Sequence, residues 1–439
     1  MMAQLQKADY TEVFDWLMQQ SQLGQLNVER VALVDASARI LAVEVCSLMA
    51  EPRQRLSAMD GYAFTQEISE TPAAIPKAKP KTTLSSNTLD CDQAWLEVVG
   101  CQMAGQPPMS ALAPNQTVRV MTGACLPEGV NCVIPLECAE LKSLNDQAWL
   151  RRPIQPLIKS NIKEVGCELA QGELVLHAGQ KLGAVEMALL ASMGIGFVEV
   201  WAMPKVVVLL SGDELVPLSD SPTQALQSGQ RYETNSWWLR SLLSAFSIEW
   251  VAMQQVSDDP GAMGDALAFW QSRVDLILTV GGASVGDKDG VTQALSSMAA
   301  PIVVKRWQLQ MRPAKPLSYV CWPSAHDPSI AACHLLALPG NPLAGFMSFK
   351  LFVNAFLARM CRATHWQAHS QQVQMAHAYA GHDSLTLWLQ VKRTSAGVVV
   401  LEAPSSGHLK TLLQADGYMA LLPKQRVLVG DWVTLWTYS

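Results

Sequence analysis

The chain has 439 residues, of which 49% are hydrophobic and 16% charged, the composition of a core-rich globular protein rather than a disordered one. At roughly 150 residues per domain, that length predicts about three domains. A formal net charge of −6 argues against broad binding to nucleic acid or to an acidic membrane surface, so an anionic substrate must be held by local donors.

The first residues, MMAQLQKADYTEVF, contain no apolar signal core. Residues 10–24 then place Val13, Leu17 and Met18 among polar positions, the pattern of an amphipathic helix, and a second helix is expected over about 35–46 with Ile40, Leu41 and Val43. From about 58 to 153 short apolar pieces alternate with Pro, Gly and Thr, which predicts a small β-rich domain. Between 154 and 200 the pattern is strand, turn and helix, the helix at 184–194 stopping on a glycine. Over 205–362 apolar strands (206–210, 248–253, 276–280, 335–338) alternate with helices (234–246, 261–273, and about 20 residues after 342), predicting a parallel α/β sheet covered on both faces. The tail, 365–439, reads as a small β-barrel or sandwich. No run approaches the roughly 20 apolar residues of a membrane span, so a cytoplasmic protein without membrane contact is expected. The ten cysteines form no CxxC pair, which argues against structural zinc and for a reducing compartment.

Five motifs carry candidate chemistry. In SAMDGYAF, Asp60 is either a carboxylate presented on a stiff turn or part of an Asp-Gly hairpin turn. In RVMTGA, Thr122 and the following glycine offer a hydroxyl and bare N–H groups to a phosphate, or merely end a strand. Ser211-Gly212-Asp213-Glu214-Leu215 follows a buried strand, where the Ser-Gly and the two acids, Asp213 and Glu214, would bind a phosphate or its Mg²⁺, or Asp213 would simply cap the next element. Gly281, Gly282, Ser284 and Gly286 in GGASVGDKD follow another buried strand and suit a phosphate cradle, completed by a helix starting near Gly290; the alternative for Asp289 is that it only caps that helix. Arg312 and Lys315 in RPAKP offer two cations for a diphosphate or an oxyanion, while LPGNP, with Pro339 and Gly340, enters a helix through Asn341 and Pro342. Neither GxxxxGK[ST] nor GxGxxG is present.

The order SAMDGYA, MTGA, SGDEL, YETN, DD, GGxSVGDxD, RPxKP and LPGNP resembles the MoeA and gephyrin E-domain family from about residue 10 to 439. The resemblance implies an α/β multidomain, elongated subunit. Its parts would be a discontinuous linker domain (1–57 and 154–200), an inserted β-rich domain (58–153), a three-layer α/β domain like the molybdopterin adenylyltransferases (201–364) and a C-terminal β-barrel (365–439). It implies a Mg²⁺-dependent molybdopterin molybdenumtransferase that takes molybdate and adenylylated molybdopterin and releases AMP. A homodimer is implied too, with Asp60 and Thr122 arriving from the second subunit, and with contact to the molybdopterin adenylyltransferase. By the same resemblance Gly281, Gly282, Ser284 and Gly286 hold the pyrophosphate, with Asp258 and Asp259 nearby. Asp213, Glu214 and Asp289 place the metal, and Arg312, Lys315, Pro339 and Gly340 line the molybdate pocket. Catalytic roles fall to Asp60, Thr122, Glu214, Asp289 and Lys315. Two alternatives stay open: adenylyltransferase-like activity, and a catalytically weakened interaction protein. The chain departs from the family where KPGKP becomes Arg312-Pro313-Ala314-Lys315-Pro316, where Gly-Glu-Asp becomes Gly166-Cys167-Glu168, after Asp289, and around His382 and Leu387, where family arginines are missing.

Overall fold

A computed structural model describes residues 5–21, 26–66, 95–153, 160–218, 225–282, 290–297, 303–323, 331–364, 369–401 and 409–438. The chain divides into two compact units, one of Met1–Glu44 with His177–Ser439 and one of Val45–Leu176.

The larger unit is built on a seven-stranded sheet in the order Leu5–Ala8, Val303–Leu309, Pro316–Pro323, Ala331–Leu338, Leu276–Val280, Lys205–Ser211, Glu249–Val256. The run KVVVLLS is apolar throughout because both of its faces are covered: Val206, Val208 and Leu210 enter one core and Val207 and Leu209 the other. Helix Asn235–Leu243 sends Leu239 and Leu243 into the first core, whereas helices Pro260–Trp270 and Gly290–Ser297 send Met263, Leu267, Val291 and Ala294 into the second. Helix Tyr10–Gln20 is capped by the Asp9 carboxylate, which accepts from the Glu12 N–H at 2.9 Å, and it buries Val13, Leu17 and Met18 in the first core.

Three expectations are corrected here. The sheet is mixed rather than parallel: Pro316–Pro323 runs antiparallel to both Val303–Leu309 and Ala331–Leu338, a long hairpin folded into a parallel framework. Residues 35–46 form no helix beyond the short turn Leu33–Asp35. Ile40 and Leu41 bridge Lys181 and Val200, and Ala38 takes a left-handed φ of 63°, which a helix does not admit. Finally, Pro342–Met360 is a 19-residue helical stretch long and apolar enough to cross a membrane, but 78% of it is buried inside the protein as a core helix. Its middle, Phe349–Val353, is π-helical.

The C-terminal sheet of this unit runs Met311–Arg312, Thr386–Thr394, Gly417–Leu421, Trp432–Thr437, Ser370–Gln374, with its own core around Val391, Met419 and Leu435. Its first pair is parallel, Met311 beside Thr386 and Arg312 beside Leu387, so the cation-bearing loop is stitched to this sheet by main-chain bonds.

The second unit holds a six-stranded sheet in the order Cys132–Pro135, Gly61–Phe64, Gln116–Val120, Trp95–Gln102, Gln147–Arg151, Leu141–Leu144. Alternation again sorts the strands: Ala63, Val118 and Val120 enter one core, Tyr62 and Phe64 the other.

Candidate active site

Three adjacent parallel strands, Lys205–Ser211, Leu276–Val280 and Ala331–Leu338, end together. Their carboxyl ends carry the SGDEL, Gly281-Gly282 and PGNP turns, the edge where open α/β sheets bind ligands. A cavity of about 710 Å³ opens there. Its walls include Glu214, Asp258, Gly281, Gly282, Arg312, Lys315, Pro339 and Gly340, so most of the expected residues of this unit meet in one place.

Glycine is required at the centre of that wall. Gly281 and Gly282 have φ of 94° and 65°, and a Cβ on Gly281 would stand 2.3 Å from the Ser211 carbonyl oxygen. Gly340 packs on the same turn, its absent Cβ lying 3.0 Å from the Gly281 Cα.

Asp213 and Asp258 exchange bonds, each carboxylate accepting from the other's backbone N–H at 3.2 Å. This locks SGDEL to the end of the neighbouring strand, and Asp213 therefore does not cap a following element. Asp259 is outside the cavity walls: its carboxylate accepts from the Ala262 N–H at 3.0 Å and caps helix Pro260–Trp270, whose Pro260 stands at the first turn. Arg312 and Lys315 form no ion pair among the described residues, leaving one guanidinium and one ammonium charge at the cavity wall. Asn341 begins helix Pro342–Ser348 with Pro342 in its first turn, but makes no side-chain cap bond.

Ser284, Gly286 and Asp289 lie outside the described residues. Ser211, whose motif was expected to bind a phosphate, has a hydroxyl buried beneath the glycine turn with no hydrogen-bond partner among the described residues. Sequence reasoning passed over two contributors to the site. Leu385 reaches the wall from the C-terminal sheet, and Asn235 of YETN ties its side chain to the Gly340 carbonyl at 3.0 Å. Such pairings join residues far apart in the chain and leave no local signal.

In the second unit Asp60 precedes strand Gly61–Phe64 and is exposed. Gly61 does not supply a left-handed turn; it is needed because a Cβ there would lie 2.0 Å from the Ile134 carbonyl oxygen. Thr122 gives both its donors to one Asp60 oxygen, the N–H at 2.7 Å and the hydroxyl at 2.8 Å, while the Gly123 N–H bonds to the Ser57 carbonyl. Those N–H groups thus form no free phosphate cradle. Instead the Thr122 bonds, with Arg119 nearby, hold the Asp60 carboxyl below its ordinary pKa, and its second oxygen accepts no hydrogen bond among the described residues.

Comparison with known proteins agrees with these features. Residues 9–194 match the model of the MoeA N-terminal region (domain I and II), and residues 207–359 that of a probable molybdopterin binding domain. The chain is 30% identical over 339 residues to a molybdopterin molybdenumtransferase of Haemophilus influenzae, covering 77% of this chain and 74% of that one. It is 32% identical over 342 residues to the Nostoc enzyme of the same name, covering 77% and 70%. In fold it is similar to the molybdopterin biosynthesis MoeA protein of Pyrococcus horikoshii OT3, with a TM-score of 0.73 at 22% identity over 98% of this chain and 100% of that one. The chain belongs to the MoeA family, the molybdopterin molybdenumtransferases of molybdenum cofactor biosynthesis.

Proposed function

We propose that this chain transfers molybdenum from molybdate to adenylylated molybdopterin and releases AMP. The observation that carries the reading is the cavity in which Arg312 and Lys315, without an ion pair among the described residues, share walls with the Gly281-Gly282 turn and with Glu214 and Asp258. Arg312 can give a tetrahedral oxyanion two parallel N–H bonds, and Lys315 adds a point charge. The bare backbone at Gly281 and Gly282 allows a phosphate oxygen to approach closely. Pro339 and Gly340 line the same cavity, Gly340 without a side chain. Thr122 stabilises the ionised Asp60 carboxyl and fixes its orientation, so that it can orient a donor.

Mg²⁺ fits this donor set, because a hard cation takes one or two carboxylates together with phosphate oxygens. Glu214 and Asp258 line the cavity and would hold it, Asp213 supporting Asp258 from behind. When bound, the ion neutralises phosphate charge. Ser284, Gly286 and Asp289 complete the phosphate and metal set in this reading, and Asp259 contributes by fixing the helix after Asp258.

The wider reading is a cytoplasmic homodimer in which the partner subunit's Asp60 and the partner subunit's Thr122 serve the reaction, with substrate passed on from the adenylyltransferase. Its domain bounds are 1–57 with 154–200, 58–153, 201–364 and 365–439. The test is AMP release from adenylylated molybdopterin by purified protein with and without molybdate. Release should require molybdate, stop with chelator and return with Mg²⁺, and fall sharply in Lys315→Ala. Absence of molybdate-dependent release from the wild-type protein sinks the reading.

A further inference from the structure

Glu233 and Asn235 do not line the cavity, yet they are only 5% and 4% exposed. A buried carboxylate and a buried amide are costly unless their bonds are made. Glu233 accepts from the Asn235 N–H at 2.5 Å and the Ser236 N–H at 3.0 Å, capping helix Asn235–Leu243, where Thr234 supplies no side-chain cap. Its charge stands at the positive end of that helix. The Asn235 amide then has only one orientation. Trp238 Nε1 can only donate, so the amide oxygen faces it at 2.9 Å, and Nδ2 is left to donate to the Gly340 carbonyl at 3.0 Å. Gly340 in turn lies directly on Gly281, and the Gly281 N–H bonds back to the Leu338 carbonyl at 3.2 Å.

We infer that Asn235, held by Glu233, is a positioning residue for the molybdate half of the reaction. It sets how closely the 339–341 turn rests on the glycine turn, and so the spacing between the oxyanion wall and the phosphate wall. Asn235 touches no reacting atom; it acts through Gly340. This inference rests on the function proposed above.

Asn235→Asp keeps the size of the side chain and the acceptor for Trp238, but turns the Gly340 donor into an oxygen facing a carbonyl. The KM for molybdate should rise about tenfold, the scale of losing one buried donor, while the KM for adenylylated molybdopterin moves by less than about twofold. Trp238→Phe removes the other amide bond and spares Gly340, so it should keep the wild-type molybdate KM. Equal rises in both KM values, or the same molybdate effect in both variants, would give Asn235 a general folding role and overturn the inference. Should Asp at this site prevent folding, Asn235→Ala carries the same test. If wild-type protein releases no AMP, the proposed function falls, and the relay is read instead by amide hydrogen exchange at Leu338, Gly340 and Asn341, the residues of this turn that carry an N–H. Faster exchange in the Asn235 variant than in Trp238→Phe supports it, and equal exchange overturns it.

Discussion

The Asp60 carboxylate accepts both the backbone N–H and the hydroxyl of Thr122 on a single oxygen, at 2.7 and 2.8 Å. The two bonds stabilise the ionised form, the backbone bond most, and lower the pKa. Thr122→Val deletes the hydroxyl bond and spares the N–H bond, so the Asp60 pKa should rise towards its ordinary value. In the proposed function the ionised acid is the active form, so the acid limb of the pH–rate profile should move to higher pH, with the alkaline side unchanged. An acid limb that stays in place would separate Asp60 from the rate-determining protonation.

The glycine turn gives a second prediction through a matched pair. Gly281 and Gly105 both have left-handed φ, 94° and 81°, but a Cβ on Gly105 meets nothing within 4 Å, whereas on Gly281 it meets the Ser211 carbonyl at 2.3 Å. Gly105→Ala should cost about 1 kcal/mol, the backbone penalty alone. Gly281→Ala adds a clash with main chain that no rotamer relieves, and should cost about 3 kcal/mol or more and abolish turnover. Urea denaturation of the two variants measures the difference; equal costs would mean that the turn relaxes freely.

Much of this site was readable locally. A buried apolar run followed by glycine, or by SGDEL, marks the end of a covered strand, because a chain leaving a two-sided sheet must turn at once. Asp259 followed by Pro260 is likewise a local helix-start signal, although its carboxylate proved to be a cap rather than a cavity group. What escaped depends on distant partners. Ile40 and Leu41 look helical in spacing until Lys181 and Val200 supply bridges across the chain. The antiparallel reversal at Pro316–Pro323 is set by pairing with Val303–Leu309, not by its own apolar pattern. The tie from Asn235 to Gly340 spans 105 positions. Conversely, roles assigned through family resemblance reached Asp60 and Thr122, whose separate motifs gave no hint that they bond to each other.

Ala314 has a φ of 68° at 2% exposure, a left-handed conformation that favours glycine. A left-handed alanine costs on the order of 1 kcal/mol, and glycine's greater unfolded-state freedom offsets most of that gain. Ala314→Gly should therefore change stability by less than about 1 kcal/mol. Ala314→Val, branched and buried at the same φ, should cost about 2–3 kcal/mol. The Arg312–Lys315 loop also lines the cavity, so the molybdate KM should follow the same order. A stabilised Val variant would show that the backbone at 314 is free to leave the left-handed region.

Tyr319 and His334 form a buried pair in the central sheet, the Tyr hydroxyl 2.8 Å from His334 Nδ1 and Nε2 without a hydrogen-bond partner among the described residues. Burial pushes the His334 pKa down from 6.5 to about 4. Between those values the unfolded chain binds a proton that the folded chain does not, so stability falls as pH drops through that window and is regained above 6.5. The slope from this group is at most about 1.4 kcal/mol per pH unit. His334→Gln keeps an acceptor for Tyr319 and does not titrate, so its stability should vary less between pH 5 and 7 than that of the wild type. Tyr319→Phe should cost about 1–3 kcal/mol at pH 7, since it leaves the ring with no partner on either nitrogen. Urea titrations at the two pH values read both effects, and identical pH slopes for wild type and His334→Gln would show that His334 does not carry the acid sensitivity.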